Sequence, residues 1–201
     1  PLARAIVAAG LLGSPLLLQA AGPVLPPGAV AAGALPTGLK IGAGQATVQT
    51  LGNQMVVRNS NGAILNWKSF DIGAAAAVRF DQANAASKVL NRVTGDDPSR
   101  ILGQLSSNGQ VWLVNPNGIL FGQGARVDVA GLVASTLRLG DSDFLAKRYQ
   151  FLGDLGSGLV RNEGLLRTAW GGQVVLLGPQ VENAGTIEAP GGHIALAAGR
   201  S

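Results

Sequence analysis

The chain has 201 residues, a length for one or two domains, with 47% hydrophobic and 13% charged residues. It contains no cysteine and a single histidine, which excludes disulfides, thiolate metal centres and imidazole clusters. The net charge is +4, but Arg79, Lys88, Arg92, Arg100, Arg126 and Arg138 are scattered singly without interleaved aromatics, so they read as a solvated surface and argue against nucleic acid as a partner.

Leu2 to Ala21 has the order of a secretory signal. Arg4 is its only charge, Ala5 to Leu18 is almost wholly apolar, and small residues follow. Ala29-Val30-Ala31 fits the small-x-small cleavage pattern, with Ala20 or Ala21 as earlier alternatives. Gly10, Gly13 and Pro15 interrupt the apolar run, which falls short of the roughly 20 residues that span a bilayer. Pro1 in place of Met marks a fragment or trimmed precursor, so residues 1–34 are expected to be a leader and 35–201 the folded domain. An exported chain without cysteine is held by its core and hydrogen bonds alone, and it stays threadable if it crosses a second membrane unfolded.

Short strands and turns follow. Ala46 to Val48 and Gln54 to Arg58 have strand-like content, punctuated by Gly42, Gly44, Gly52-Asn53 and Asn59 to Gly62. Ala63 to Ile72 alternates, with Ile64, Asn66, Lys68 and Phe70 against Leu65, Trp67 and Ser69, and Trp67 and Phe70 are expected core anchors. Ala74 to Phe80 is expected to be a strand, and Asp81 to Val93 a strand or loop with Leu90 and Val93 buried. Gly95 to Pro98 reads as a loop and Ile101 to Leu105 as one strand.

Asn108-Gly109 is the strongest two-residue turn signal. It leads into the stretch on which the chain is organised: a strand from Val111 to Val114, then Asn115-Pro116-Asn117-Gly118, then the apolar Ile119 to Phe121. Pro116 presets its own φ and biases Asn115 toward an extended conformation, and Asn117-Gly118 tolerates positive φ. The result is a sharp turn whose Asn115 amide bonds its own turn or a neighbouring layer. If Asn115 is buried it must be paired, because an unmet bond costs about 1–3 kcal/mol.

Val127 to Val129 and Leu132 to Ala134 are further strands. Residues 138–158 differ: Asp141, Asp143, Lys147, Arg148 and Asp154 gather with Phe144, Tyr149 and Phe151, as in an excursion packed outside the regular pattern.

A repeat then appears. Val160, Asn162 and Gly164 recur as Val181, Asn183 and Gly185, and Gly172, Val174 and Leu176 recur as Gly192, Ile194 and Leu196, at offsets of 21 and 20 residues. That period, with glycine and asparagine at turns and no helix signal, predicts a β-solenoid. Stacking coils at about 4.8 Å pairs every backbone group with the coil above and below, and asparagines at matching corners bond between coils. The repeat is still running at Ser201, so a continuation of the chain is expected, and a bare last coil is an open edge.

The phrases Asn66 to Gly73, Val89 to Leu105, Asn108 to Gly122 and Gly124 to Leu137 closely resemble the N-terminal secretion domain of two-partner secretion exoproteins, the filamentous haemagglutinin and high-molecular-weight adhesin (TpsA) family. Ala34 to Gly38 resembles that family's mature N-terminus. The resemblance implies an all-β fold, a right-handed parallel β-helix with an N-terminal cap and extra-helical β-strands. It implies an address and folding nucleus that passes through the Sec machinery into the periplasm of a Gram-negative bacterium. There the POTRA domains of an outer-membrane TpsB β-barrel would recognise it, and it would then reach the cell surface. Asn115, Pro116, Asn117 and Gly118 match the family's Asn-Pro-Asn-Gly motif, linked to secretion competence. Asn66, Trp67, Phe70, Asn91, Arg92, Val93, Asn108 and Gly109 are supporting motif positions. The second, Asn-Pro-Asn-Leu motif of some relatives has no match, which places the chain nearer the high-molecular-weight adhesin subgroup. Host-surface receptors would be met by the downstream passenger.

No catalytic, cofactor or metal residue is expected. His193 sits in a repeat strand. Asp96-Asp97 and the Asp141, Asp143 pair are ordinary loop acids, short of the six or more oxygens of a calcium site. Two rivals remain. A β-helix polysaccharide-active enzyme needs a carboxylate cluster, which eleven dispersed acidic residues do not supply. A domain that is itself an adhesin needs exposed aromatics, whereas Trp67, Trp112 and Trp170 all lie in apolar stretches and are expected in the core.

Overall fold

The computed structural model describes residues 29–153 and 158–199. The signal-like segment, Asp154 and Ser201 therefore lie outside the described residues. The strands are β1 (Lys40–Ala43), β2 (Ala46–Leu51), β3 (Gln54–Asn59), β4 (Ala63–Trp67), β5 (Ala77–Asp81), β6 (Lys88–Val93), β7 (Ser99–Ile101), β8 (Gln104–Ser107), β9 (Gln110–Val114), β10 (Ile119–Phe121), β11 (Arg126–Val129), β12 (Gly131–Ser135) and β13 (Arg138–Leu139). After a one-turn helix α1 (Asp141–Leu145) come β14 (Phe151–Leu152), β15 (Leu159–Asn162), β16 (Leu165–Thr168), β17 (Gln173–Gly178), β18 (Gln180–Asn183), β19 (Thr186–Glu188) and β20 (His193–Ala198).

Each strand is too short to enclose its own apolar side, so successive coils stack. The first face runs β1-β4-β6-β9-β12-β17-β20, the second β19-β16-β11-β8-β5-β3-β2, and the third β18-β15-β10-β7. From β3 onward the pairing between coils is parallel; β1 on β4 and β2 on β3 are antiparallel and close the N-terminal end as a cap. The fold is the expected right-handed parallel β-helix, with the β13–β14 pair and α1 outside it.

Register decides what each side chain sees. Ala63, Val89, Val111, Leu132 and Val174 align on the first face, and Leu65, Asn91, Leu113, Ala134 and Leu176 form the next inward ladder. On the second face Met55, Val78, Leu105, Val127 and Leu166 align. All are buried and, Asn91 aside, belong to one continuous core. The predicted repeat is the coil pairing itself: Val160 sits on Val181, Asn162 on Asn183 and Val174 on Ile194. Asn162 Nδ2 donates to Asn183 Oδ1 at 2.7 Å, the expected bond between corners.

Several expectations change. Ile101 to Leu105 is not one strand: Leu102 and Gly103 turn the chain from the third face to the second. Ala74 to Phe80 becomes strand only at Ala77. Asn108-Gly109 turns the chain, but between two faces rather than within a hairpin, because β8 and β9 belong to different sheets. The alternation in Ala63 to Trp67 does not separate core from solvent. Leu65 and Trp67 face the inner core, while Ile64 is also fully buried, in a second cluster outside the coil. Phe70 lies beyond the strand, and a bend brings it edge-on to Trp67 at 5.7 Å.

The excursion builds that second cluster. Leu139 and Phe144, with half-buried Phe151, cover Ile64, Leu90, Trp112 and Val133. Trp112 is thus buried outside the coil, and Trp170 is not core at all but 83% exposed. Arg92, read as a surface charge, is half-buried beneath the excursion, where it meets Asp141 at 2.6 Å.

Candidate functional site

The Asn115 to Gly118 corner carries the chain from the first face to the third. Asn115 and Gly118 are buried and Pro116 and Asn117 half-buried. The turn closes on itself: the Gly118 N–H donates to the Asn115 carbonyl at 3.2 Å, and the Asn117 N–H to Asn115 Oδ1 at 3.0 Å. Gly118 takes φ 130, the positive value for which glycine is suited.

The corner also binds the coil before it. Asn115 Nδ2 donates to the Asp97 carbonyl and to Ser99 Oγ, each at 3.0 Å, and Asn117 Nδ2 to the Gly95 carbonyl at 2.8 Å. The Ser99 N–H returns a bond to the Gly118 carbonyl at 3.0 Å. On the other side the Asn115 N–H donates to the Ser135 carbonyl at 3.0 Å. The buried amide is therefore paired, as expected, and its partners lie in a neighbouring layer as well as in its own turn. Aspartate would lose both Nδ2 bonds, and alanine would take the Asn115 partner away from the buried Ser99 hydroxyl, the Asp97 carbonyl and the Asn117 N–H.

The supporting positions fall into three further groups. Trp67 Nε1–H donates to Asn91 Oδ1 at 3.0 Å, and Asn91 Nδ2 donates to the Trp112 carbonyl at 3.3 Å. Asn91 thus joins three successive coils inside the core, to which Val93 and Phe70 also belong. Arg92 points outward, donating to Asn66 Oδ1 at 3.3 Å and to the Leu139 carbonyl at 2.7 Å. At another corner Asn108 and Gln82 exchange bonds: the Gln82 N–H donates to Asn108 Oδ1 at 2.8 Å, and Asn108 Nδ2 to the Gln82 carbonyl at 2.6 Å. Gly109 leaves room for the Gln82 side chain, which a Cβ there would meet at 2.6 Å. The twelve positions do not form one surface. They are joints between coils, spread over two corners, the core and the base of the excursion.

Sequence reasoning missed the other halves of these joints: Gly95, Ser99 and Gln82, and the Asp141 and Leu139 ends of the Arg92 contacts. Each lies a coil or more away, so no local pattern marks it. Near the Ser99 end, Asp71 accepts the Arg100 N–H at 2.8 Å. Burial pushes its carboxyl above the usual range, against that hydrogen bond and the Arg100 charge. Among the described residues no group of three or more histidine, cysteine, aspartate or glutamate side chains is placed to hold a metal ion.

A family model described as the TPS secretion domain matches residues 32–201. A heme/hemopexin-binding protein of Haemophilus influenzae is 38% identical over 175 residues, covering 82% of this chain and 19% of that protein. A second heme/hemopexin-binding protein of Haemophilus influenzae is 41% identical over 124 residues, covering 61% of this chain and 13% of its own length. This chain thus spans under a fifth of the curated relatives it matches. The crystal structure of the HMW1 secretion domain from Haemophilus influenzae aligns at a TM-score of 0.80 and 40% identity, over 82% of this chain and 45% of that one. With the model matched over most of its length and the coil architecture shared, the chain belongs to the TPS secretion-domain family, the secretion domains of exoproteins exported by two-partner systems.

Proposed function

We propose that this domain is the export address and folding nucleus of a larger exoprotein. It is delivered by the Sec machinery, recognised unfolded in the periplasm by the POTRA domains of a cognate outer-membrane barrel, and folded at the cell surface. The observation that carries this reading is the enclosure of the Asn-Pro-Asn-Gly corner. Asn115 has no exposed surface, and its amide is fully used by Asp97, Ser99 and its own turn. A transporter can read that side chain only before the coils close, and after closure the same side chain locks them.

The far end supports the nucleus role. Ile194 and Leu196 continue the ladders of Val174 and Leu176, yet stand 49% and 48% exposed while their predecessors are buried. A following coil would cover them, at roughly 25 cal/mol per Å² of apolar surface removed from water. The cap offers no such parallel template at the opposite end. Folding therefore has a direction and can pull on a chain still in transit where no nucleotide is available as fuel. Host contacts belong, in this reading, to the passenger. Among the described residues exposed Trp170 favours a binding role for the domain itself, and one indole makes no aromatic flank.

The test is secretion of residues 35–201 behind an intact signal peptide, with and without the cognate barrel. Recovery in the medium only with the barrel is expected, together with a drop in export for Asn115→Ala, Asn117→Ala. Retention of the unsubstituted fragment in the periplasm with the barrel present would defeat the address reading. Normal export of the double variant would remove the corner from it.

A further inference from the structure

The excursion poses a register problem for the coils that follow it. In the coil below, the first face passes to the third through Asn115 to Gly118, and in the coil above through Pro179 alone. In the coil between them the chain leaves after Ser135, builds β13, α1 and β14 outside, and returns at Gly158. The step from Leu132 to Val174 in the ladder is therefore twice that from Val111 to Leu132. On return β15 must land on β10 with Val160 opposite Ile119. A slip of one residue would turn Val160 outward and drive Arg161 into the core.

Both ends of this excursion are bonded to one turn. At the exit, the Asn115 N–H donates to the Ser135 carbonyl at 3.0 Å. At the re-entry, the Gly158 N–H donates to the Pro116 carbonyl at 2.6 Å. The fit at Gly158 is tight: a Cβ there would lie 2.5 Å from the Asn117 carbonyl oxygen and 2.7 Å from the Gly118 nitrogen, both backbone atoms. Those contacts are with backbone, which cannot swing aside as a flexible side chain could, so space by itself demands glycine at this position.

We propose that the Asn115 to Gly118 corner is a tie bar that closes the excursion, and that Gly158 is the positioning residue that sets the register in which the solenoid restarts. The turn holds the exit through the Asn115 N–H and receives the returning chain at the Pro116 carbonyl. The Asn115 and Asn117 side chains brace that turn against Gly95, Asp97 and Ser99, so the landing site is rigid before the chain returns. The corner thus serves three consecutive coils.

The experiment is amide hydrogen exchange on the purified domain refolded from urea, with no transporter, so its outcome does not depend on the export reading. In Gly158→Ala, protection of β15 to β20 should fall about tenfold or more, while β3 to β12 keep theirs; tenfold corresponds to about 1.4 kcal/mol of local stability. Gly199→Ala, where a Cβ meets open space, should change nothing. A second variant lengthens the excursion by a Gly-Ser pair after Gly153. If the tie bar sets the register, β15 to β20 keep full protection. Unchanged protection in Gly158→Ala, collapse of protection along the whole chain, or loss in the lengthened variant would each overturn the proposal.

Discussion

The two sides of the first face are buried by different means. Its inner side is covered by repetition: each coil adds one apolar residue to ladders such as Val111, Leu132 and Val174, and the contact made is the one already made below. Its outer side is covered once, by the excursion. Trp112 lies 5.6 Å edge-on from Phe144, 4.6 Å from Tyr149 and 6.2 Å stacked on Phe151. Lys88 Nζ sits 4.8 Å from the Tyr149 ring centroid and within 2.8 Å of its hydroxyl, and Arg92 bonds Asp141 and Leu139. A repeated core propagates from coil to coil, whereas a single-use core either forms whole or not at all. Damage inside should therefore travel along the solenoid, and damage outside should stay local.

The largest effect is expected inside. Trp67→Ala removes a fully buried ring and leaves Asn91 Oδ1 without its donor, for a loss of about 3–5 kcal/mol from the ring alone. Urea unfolding should show one cooperative transition at a much lower midpoint. Two separated transitions would mean that the inner core is not continuous.

A smaller, local effect is expected outside. Arg92→Met keeps the aliphatic stem but loses the Asp141 and Leu139 bonds, worth about 1 kcal/mol because Asp141 is half exposed. Tryptophan emission should shift as Trp112 becomes wetter, exchange should quicken in 138–152, and the solenoid midpoint should hardly move. Equal losses in both regions would erase the distinction drawn between the two cores.

The smallest effect belongs to neither core. The raised folded-state pKa of Asp71 means that the folded chain keeps this proton at a pH where the unfolded chain, with its ordinary value near 3.8, has released it. Stability from this group is thus greatest at low pH and declines as pH rises through that window. Asp71→Asn keeps an acceptor for the Arg100 N–H and removes the decline, so it should match or slightly exceed the parent chain at neutral pH. Destabilisation at neutral pH would mean that the Arg100 charge outweighs burial.

The excursion was legible as a break in composition at residues 138–158, but its target was not. Trp112 lies in an apolar run, and nothing local tells an inward tryptophan from an outward one when both sides of a strand are covered. For the same reason the run from Ala63 to Trp67 is apolar on both sides, with Asn66 its one polar member. A parallel sheet buried on both faces reads as continuous hydrophobicity. Trp170 misleads in the opposite direction: a coil corner holds it 83% exposed, with its ring over Gly191 in the next coil.

What the sequence determined by itself was everything set by local chemistry or by recurrence. The Pro116 and Gly118 turn follows from backbone restriction, the solenoid from an offset that brings Asn162 onto Asn183, and the family resemblance from long phrases within the region that the family model matches. Tertiary structure alone decided which residues complete each joint: Ser99 for Asn115, Gln82 for Asn108, Asp141 for Arg92 and Gly158 for Pro116. These partners are separated by a full coil or by the excursion. A contact perpendicular to the chain carries no signature along it, because stacking, not sequence proximity, brings the two residues together.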